Sequence, residues 1–401
     1  MSICNNQSLN ENLLKEAKEN LLYITERPSI VMEKGKGMYL WDTEGKSYLD
    51  FIGGWAVTAL GHCPEVIIEA LERQGKELIN PSPAFYNKPM IEFARLLTSN
   101  SCFDKVFFTS TGAEANESAI KLARKYGSKF LKGAYEIITT VNGFHGRTLA
   151  TMSATGKAHW KEIYEPKVSG FKHVPLNDIE ALHEAITEST CAIMLEPIQG
   201  EGGVNEASAE YILELRKVCD SKDILLIFDE VQTGLGRTGK LFAYEHYGIE
   251  PDIMTLAKGI GGGYPLSAML TKDKYNIFEA GDQGGTYCGN PLGMAVGMAV
   301  VEEIIKKDLT SNAQVQGEYI LKKLNEIQTK FLIKNIRGKG LLIAFDLPME
   351  KGKEVVDKCL KAGVLINSPK PSTIRLIPPL IVTKEDIDNM FDILEKVLEE
   401  I

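Results

Sequence analysis

Apolar positions change their spacing along the chain, and the changes divide it. Residues 9–23 carry helical spacing. A hairpin follows around Thr43, Glu44 and Gly45, between GMYLWD and SYLDF. Spacing of three and four predicts helices over 64–79 and 88–99. From about 105, short continuous apolar runs (KVFFTS, YEIITTV, CAIMLEP, ILLIFDE, DIMTLA, LSAML) alternate with helical stretches such as 113–131 and 209–221. Runs without a polar side are strands covered on both faces, so the alternation predicts an α/β unit with a largely parallel sheet. Beyond helix 291–307 the texture becomes α+β: helix 312–329, strands near 341–346 and 374–377, helices at 351–362 and 384–399. The expected division is an N-terminal segment, 1–60, packing on a small C-terminal α+β domain, 306–401, with a large domain, 61–305, between them.

At 401 residues, 44% hydrophobic and 25% charged, the chain can bury a sizeable core. Its net charge of −9, without a long basic run, argues against nucleic acid or an anionic membrane as partner. No run of about 18 apolar residues is present. The N-terminus lacks the basic-then-apolar pattern of a signal peptide. The seven cysteines are scattered, with no CxxC pair, as expected of reduced thiols in a cytoplasmic protein without a metal site.

Candidate chemistry clusters at strand ends. Asp229 closes ILLIFD, and Lys258 follows DIMTLA and precedes GIGGG. In open α/β sheets ligands bind beyond the carboxyl ends of the strands. A lysine and a carboxylate there suit pyridoxal 5′-phosphate, which needs a Schiff-base amine and a partner for its pyridinium nitrogen. A strand-end aspartate also serves as a plain helix cap. Thr111-Gly112-Ala113 leads from a strand into a helix, where free N–H groups make an anion site or, equally, an ordinary capped turn. In Asn142-Gly143-Phe144-His145-Gly146-Arg147 the aromatic ring can stack on a flat cofactor and the arginine can grip a carboxylate; a core ring and a surface cation are the plainer alternatives. Gly234-Leu-Gly236-Arg-Thr-Gly239 fits two nucleotide motifs on paper. Leu241 stands where the Walker hydroxyl is required, and no strand ends at the first glycine, so nucleotide binding is excluded there.

Taken together, GGWAVTALGH, INPSPAFYN, FFTSTGAEANE, GFHGRT, EPIQGEGGV, FDEVQTGLGRTGKLFAYEHYG, PDIMTLAKGIGGGYPLSAM, GGTYCGNP, IRGKGLL and IRLIPPLIV resemble the class III (ω-amino acid) aminotransferases of PLP fold type I. Within them, the acetylornithine branch looks closest. The resemblance runs from about residue 24 to the C-terminus. It implies a seven-stranded, mostly parallel sheet flanked by helices, PLP as cofactor, 2-oxoglutarate as amino acceptor and a homodimer with shared sites. It assigns Lys258 to the Schiff base and Asp229 to the pyridine nitrogen. Gln232 goes near the ring's phenolic oxygen, with Glu230 and Val231 beside it. Thr111, Gly112 and Ala113 form the phosphate cradle, and Phe144 is the stacking ring. Arg147 would take the substrate carboxylate. Thr286 would bind phosphate across the subunit interface, with Gly285 near the substrate. Glu201 and Arg375 would form a pair that opens for the dicarboxylate. The cradle often reads Ser-Gly-Thr in relatives, position 285 is Ser in many, and Thr25 stands where ornithine aminotransferases carry a tyrosine. Donors left open are acetylornithine, ornithine, 4-aminobutyrate and succinyl-diaminopimelate. An aminomutase or a non-catalytic regulator on the same fold would differ by lacking oxo-acid-dependent turnover.

Overall fold

The computed structural model describes residues 4–157 and 164–401. Its centre is a seven-stranded sheet in the order Lys105–Thr109, Ser267–Thr271, Ile253–Leu256, Leu225–Asp229, Thr190–Leu195, Glu136–Thr140, Phe171–Val174. Ser267–Thr271 runs antiparallel to both neighbours, and the other pairings are parallel. The four strands from Thr190–Leu195 to Ser267–Thr271 are buried at every position. That is why they read as unbroken apolar runs: helices cover both faces.

Helix Gly112–Phe130 lies on one face and turns Ala115, Ala119 and Ala123 inward, a stripe at every fourth residue. Helix Pro291–Lys306 starts on an Asn290 cap that accepts from the N–H of Gly293, with proline in its first turn. Its Gly297 faces Phe93 so closely that an added Cβ would come within 2.6 Å of the ring. The small residues of this helix therefore serve close packing.

A second, antiparallel sheet runs Lys334–Lys339, Leu342–Asp346, Thr373–Leu376, Asn367–Lys370, accompanied by helices Leu309–Phe331, Gly352–Lys361 and Lys384–Glu399. Met390, Phe391 and Leu394 of the last helix are fully buried, and truncating Phe391 to alanine would cost about 3–5 kcal/mol. A third sheet is built by Met32–Lys36, Tyr39–Asp42 and Ser47–Asp50, the hairpin read from the sequence. Val364–Leu365 joins it in parallel with Ser47–Asp50, so the N-terminal segment is tied to the C-terminal part.

Some elements differ from expectation. The first helix spans Cys4–Asn20, ending before Leu21–Ile24, whose apolar side chains are exposed. Helix Leu309–Phe331 starts earlier than its apolar spacing implies, from a left-handed Asp308. Phe171–Val174 and Lys334–Lys339 are strands that the sequence reading passed over. Among the described residues no cysteine is in a disulfide, no cluster of metal-ligating side chains occurs and no helix is long and apolar enough to cross a membrane. The side chain of Cys4 lies outside those described.

Candidate active site

The carboxyl ends of the parallel strands open into a cavity of about 420 Å³. Asp229 stands at its floor, at the last position of its strand and 3% exposed. One carboxylate oxygen accepts from the backbone N–H of Val231 at 3.0 Å. The other accepts from the Asn116 amide and lies against His145 Nδ1, both at 2.7 Å. Thr255 Oγ donates to the Asn116 oxygen, which fixes the orientation of that amide. Three donors therefore hold a buried carboxylate at one place, as a charged group away from water requires. Burial works against a charge on His145, but the Asp229 carboxylate outweighs it and holds the imidazole above its usual range.

Lys258 comes from the adjacent strand, whose Thr255 pairs with Asp229. Its backbone is left-handed at φ +50°, a conformation a lysine adopts only under constraint. The constraint is a tight 3₁₀ turn, Lys258–Ile260, at the strand end. This turn delivers the side chain into the cavity. Burial is the main force that lowers the Lys258 pKa; Glu201 opposes it and Arg375 adds to it.

Opposite, helix Gly112–Phe130 points its first turn at the same space. Thr111 and Glu114 form a capping box, with the Glu114 carboxylate accepting from the N–H groups of Ser110 and Thr111 at 2.9 Å. That leaves the N–H groups of Gly112 and Ala113, which have no partner within the helix, as the donors offered to an anion. Thr111 is thus part of the wall, but its own N–H is spent on the cap. A Cβ on Gly112 would come within 3.0 Å of Val231 Cγ1 and 3.3 Å of Ala257 Cβ, so glycine lets the helix start close to the strand ends.

Loop 142–147 supplies Phe144, whose ring lines the cavity, and Arg147, whose guanidinium lies 6.0 Å from the ring centroid. The loop is held by Glu196, which accepts from the N–H of Phe144 at 2.8 Å and of Gly200 at 3.1 Å. Burial pushes the Glu196 carboxyl up to about 7, with His145 opposing and Asp229 adding.

Arg375 is completely buried on the strand Thr373–Leu376. Its Nη1 donates to Glu201 Oε1 at 2.9 Å and to the Gly200 carbonyl at 2.8 Å, and lies 3.5 Å from Gln232 Oε1. Its Nη2 is buried without a partner among the described residues. Burial alone would raise the Glu201 carboxyl; Arg375, then Lys258, holds it below the usual range. Gln232 also donates to the Trp55 carbonyl at 3.3 Å and lines the cavity.

One expectation needs correction. Glu230 does not face the cavity: its carboxyl oxygens accept from the N–H groups of Ala243 and Tyr244 and cap the short helix Ala243–His246. Side chains alternate along the extended chain leaving the strand, so the neighbour of Asp229 turns away. Thr286 and Gly285, expected to serve a partner's site, are exposed in a loop and do not line this chain's own cavity. The sequence reading in turn missed Asn116, His145, Glu196 and Tyr264, all of which line it.

The model of the aminotransferase class-III family matches residues 24–398. An acetylornithine aminotransferase of Ralstonia nicotianae is 52% identical over 95% of this chain and 97% of its own length. One of Caldanaerobacter subterraneus is 50% identical over 96% and 98%. Among solved structures, an ornithine aminotransferase of Toxoplasma gondii superposes with a TM-score of 0.94 at 32% identity, covering 98% of this chain and 94% of that one. An acetylornithine aminotransferase of Elizabethkingia anophelis does so at 0.87 and 33%, covering 98% and 99%. A strand-end lysine and aspartate facing an anion cradle, and a family match running nearly end to end, lead to one conclusion: the chain belongs to the class-III aminotransferases.

Proposed function

We propose that the chain moves the δ-amino group of N2-acetyl-L-ornithine to 2-oxoglutarate, giving N-acetyl-L-glutamate 5-semialdehyde and L-glutamate, a step of arginine biosynthesis. The near-full-length identity to acetylornithine aminotransferases carries the choice of donor. The cofactor is pyridoxal 5′-phosphate, and the cavity fits it. Gly112 and Ala113 offer two unengaged N–H groups to a phosphate, Phe144 offers a ring face and Asp229 a fixed carboxylate. When bound, the cofactor supplies the electron sink for a carbon that has lost a proton.

The chain's own groups do the rest. Asp229, held by three donors, keeps the pyridine nitrogen protonated. Lys258 would hold the cofactor through its Nζ, and the same Nζ, freed by the donor amine, would serve as the base that takes the proton from the donor's δ-carbon. Burial holds the Lys258 pKa below its usual range, the direction both tasks require. Arg147, exposed at the rim, takes the donor's carboxylate. Arg375 takes the second carboxylate of 2-oxoglutarate once Glu201 swings off it. While the donor is bound, Glu201 neutralises a cation that would otherwise be buried alone.

The reading extends to a cytoplasmic homodimer in which Thr286 and Gly285 complete the partner's site. Leu22, Tyr23, Phe85, Tyr86 and Tyr287 are more than half exposed in the single chain, and large exposed apolar side chains of this kind support an interface. The division into 61–305 and a unit of 1–60 with 306–401 is proposed with it, supported by the pairing of Ser47–Asp50 with Val364–Leu365. A panel of ω-amine donors against 2-oxoglutarate tests the assignment. Acetylornithine should give the highest kcat/KM; a higher value for ornithine, 4-aminobutyrate or succinyl-diaminopimelate would replace it.

A further inference from the structure

Arg375 has more partners than one ion pair requires, and their arrangement is uneven. Its Nε donates to Asn367 Oδ1 at 2.9 Å. Asn367 is the residue directly opposite Arg375 across the antiparallel strands, on the same face of the sheet. The ladder is irregular between Asn367 and Lys370, and Asn367–Lys370 is the edge strand, with Pro369 in it. The pairing at Asn367 is thus kept while the strand beyond it departs from register. The Gly200 carbonyl holds Nη1 from the other side.

A guanidinium can meet a carboxylate with two parallel N–H groups along either of two edges: Nε with one terminal nitrogen, or the two terminal nitrogens end-on. With Nε engaged by Asn367, the side edge is closed. What remains is the end-on fork. Its Nη1 is shared with Glu201 Oε1, and its Nη2 is buried without a partner among the described residues. Glu201, in a turn rich in glycine and part-exposed, contacts the fork through one oxygen only.

We propose that Asn367 is a positioning residue that locks Arg375 in place and leaves its end-on fork as the receptor for the dicarboxylate substrate. Glu201 then moves and Arg375 does not. An amide suits position 367 because its oxygen accepts from Nε without adding a charge. A carboxylate there would neutralise Arg375 permanently and compete with the substrate.

This inference rests on the reading of Arg375 as the site for the second carboxylate of 2-oxoglutarate, and the test separates the two. In a ping-pong enzyme kcat/KM for each substrate reports its own half-reaction. The PLP-loaded enzyme, Asn367→Asp, Asn367→Leu and Arg375→Lys are compared with both substrates, with thermal midpoints as a folding control. Asn367→Asp is nearly isosteric and keeps the geometry if the apolar variant fails to fold. Both Asn367 variants should lower kcat/KM for 2-oxoglutarate by about tenfold or more, the scale of one charge-assisted hydrogen bond. They should leave kcat/KM for acetylornithine within about twofold, because Arg147 serves that substrate. Equal losses in both half-reactions, or none for 2-oxoglutarate while Arg375→Lys loses it, overturn the role of Asn367. An undiminished 2-oxoglutarate half-reaction in Arg375→Lys overturns the reading of Arg375 itself.

Discussion

Lys258 has to be a neutral amine to attack and a base to move a proton, and both demands fall on one side chain in a strained turn. Lys258→Ala should therefore lose about 10²–10⁴-fold or more in turnover, the range of a positioned acid–base group. After borohydride treatment the wild-type peptide containing residue 258 should carry the cofactor's mass and the variant should not. Full activity in Lys258→Ala would remove the residue from the chemistry. Glu201 makes a subtler prediction. Glu201→Ala leaves Arg375 an uncompensated cation while the donor is bound, so single-turnover absorbance changes should show the acetylornithine half-reaction slowed more than the 2-oxoglutarate half-reaction. Glutamate should become a better first donor. Equal slowing would make the pair a fixed ion pair. At this scale the sequence was most legible where a polar residue ends an apolar strand, as at Asp229. Glu196 ends CAIML in the same way, so the same signal could have found it. His145 lay inside a motif already singled out. Asn116 was illegible, because only the fold shows that the residue one turn into a helix faces a strand end.

Elements carry their own titration. Glu230 caps the helix Ala243–His246 and is pushed up to about 8 by burial, against a usual 4.5. The folded chain therefore holds a proton that the unfolded chain has released at neutral pH. The resulting stability is full below about pH 4.5 and is lost as pH rises through about 8. Glu230→Gln cannot ionise, so its thermal midpoint should fall less than that of the wild type between about pH 5 and pH 9. Parallel curves for the two proteins would show that the carboxyl does not set the slope. Strands buried on both faces were plain in the sequence because no charged residue interrupts them. Phe171–Val174, at the sheet edge with Lys172 and His173 inside it, carries no such run. In Lys334–Lys339 the residues are KNIRGK, and only pairing with Leu342–Asp346 makes them a strand. Tertiary pairing overrode local pattern in both.

Across the whole molecule, the loop with Thr286 does not line its own chain's cavity, and in the proposed dimer it would serve the site of a second copy. Mixing Lys258→Ala with Thr286→Ala protomers should give hybrid dimers in which one site of two has both native residues, and activity above either parent. No gain in mixtures that demonstrably exchange subunits would confine each site to one chain. The reversed strand Ser267–Thr271 has a further consequence. Because it begins where its antiparallel neighbours end, the chain that leaves the cavity at Lys258 is back on its wall from Gly263 to Leu266, and Ser267 is bonded there to Thr109 and to the Thr111 carbonyl. That stretch has no slack at either end. The turn at Gly133 lies at the other end of the sheet, before the strand Glu136–Thr140, and a side chain there would meet open space. A library of single-residue insertions screened for growth without arginine should therefore show a gap from Lys258 to Leu266 and survivors around Gly133, a map of where this protein can be lengthened drawn by one backwards strand.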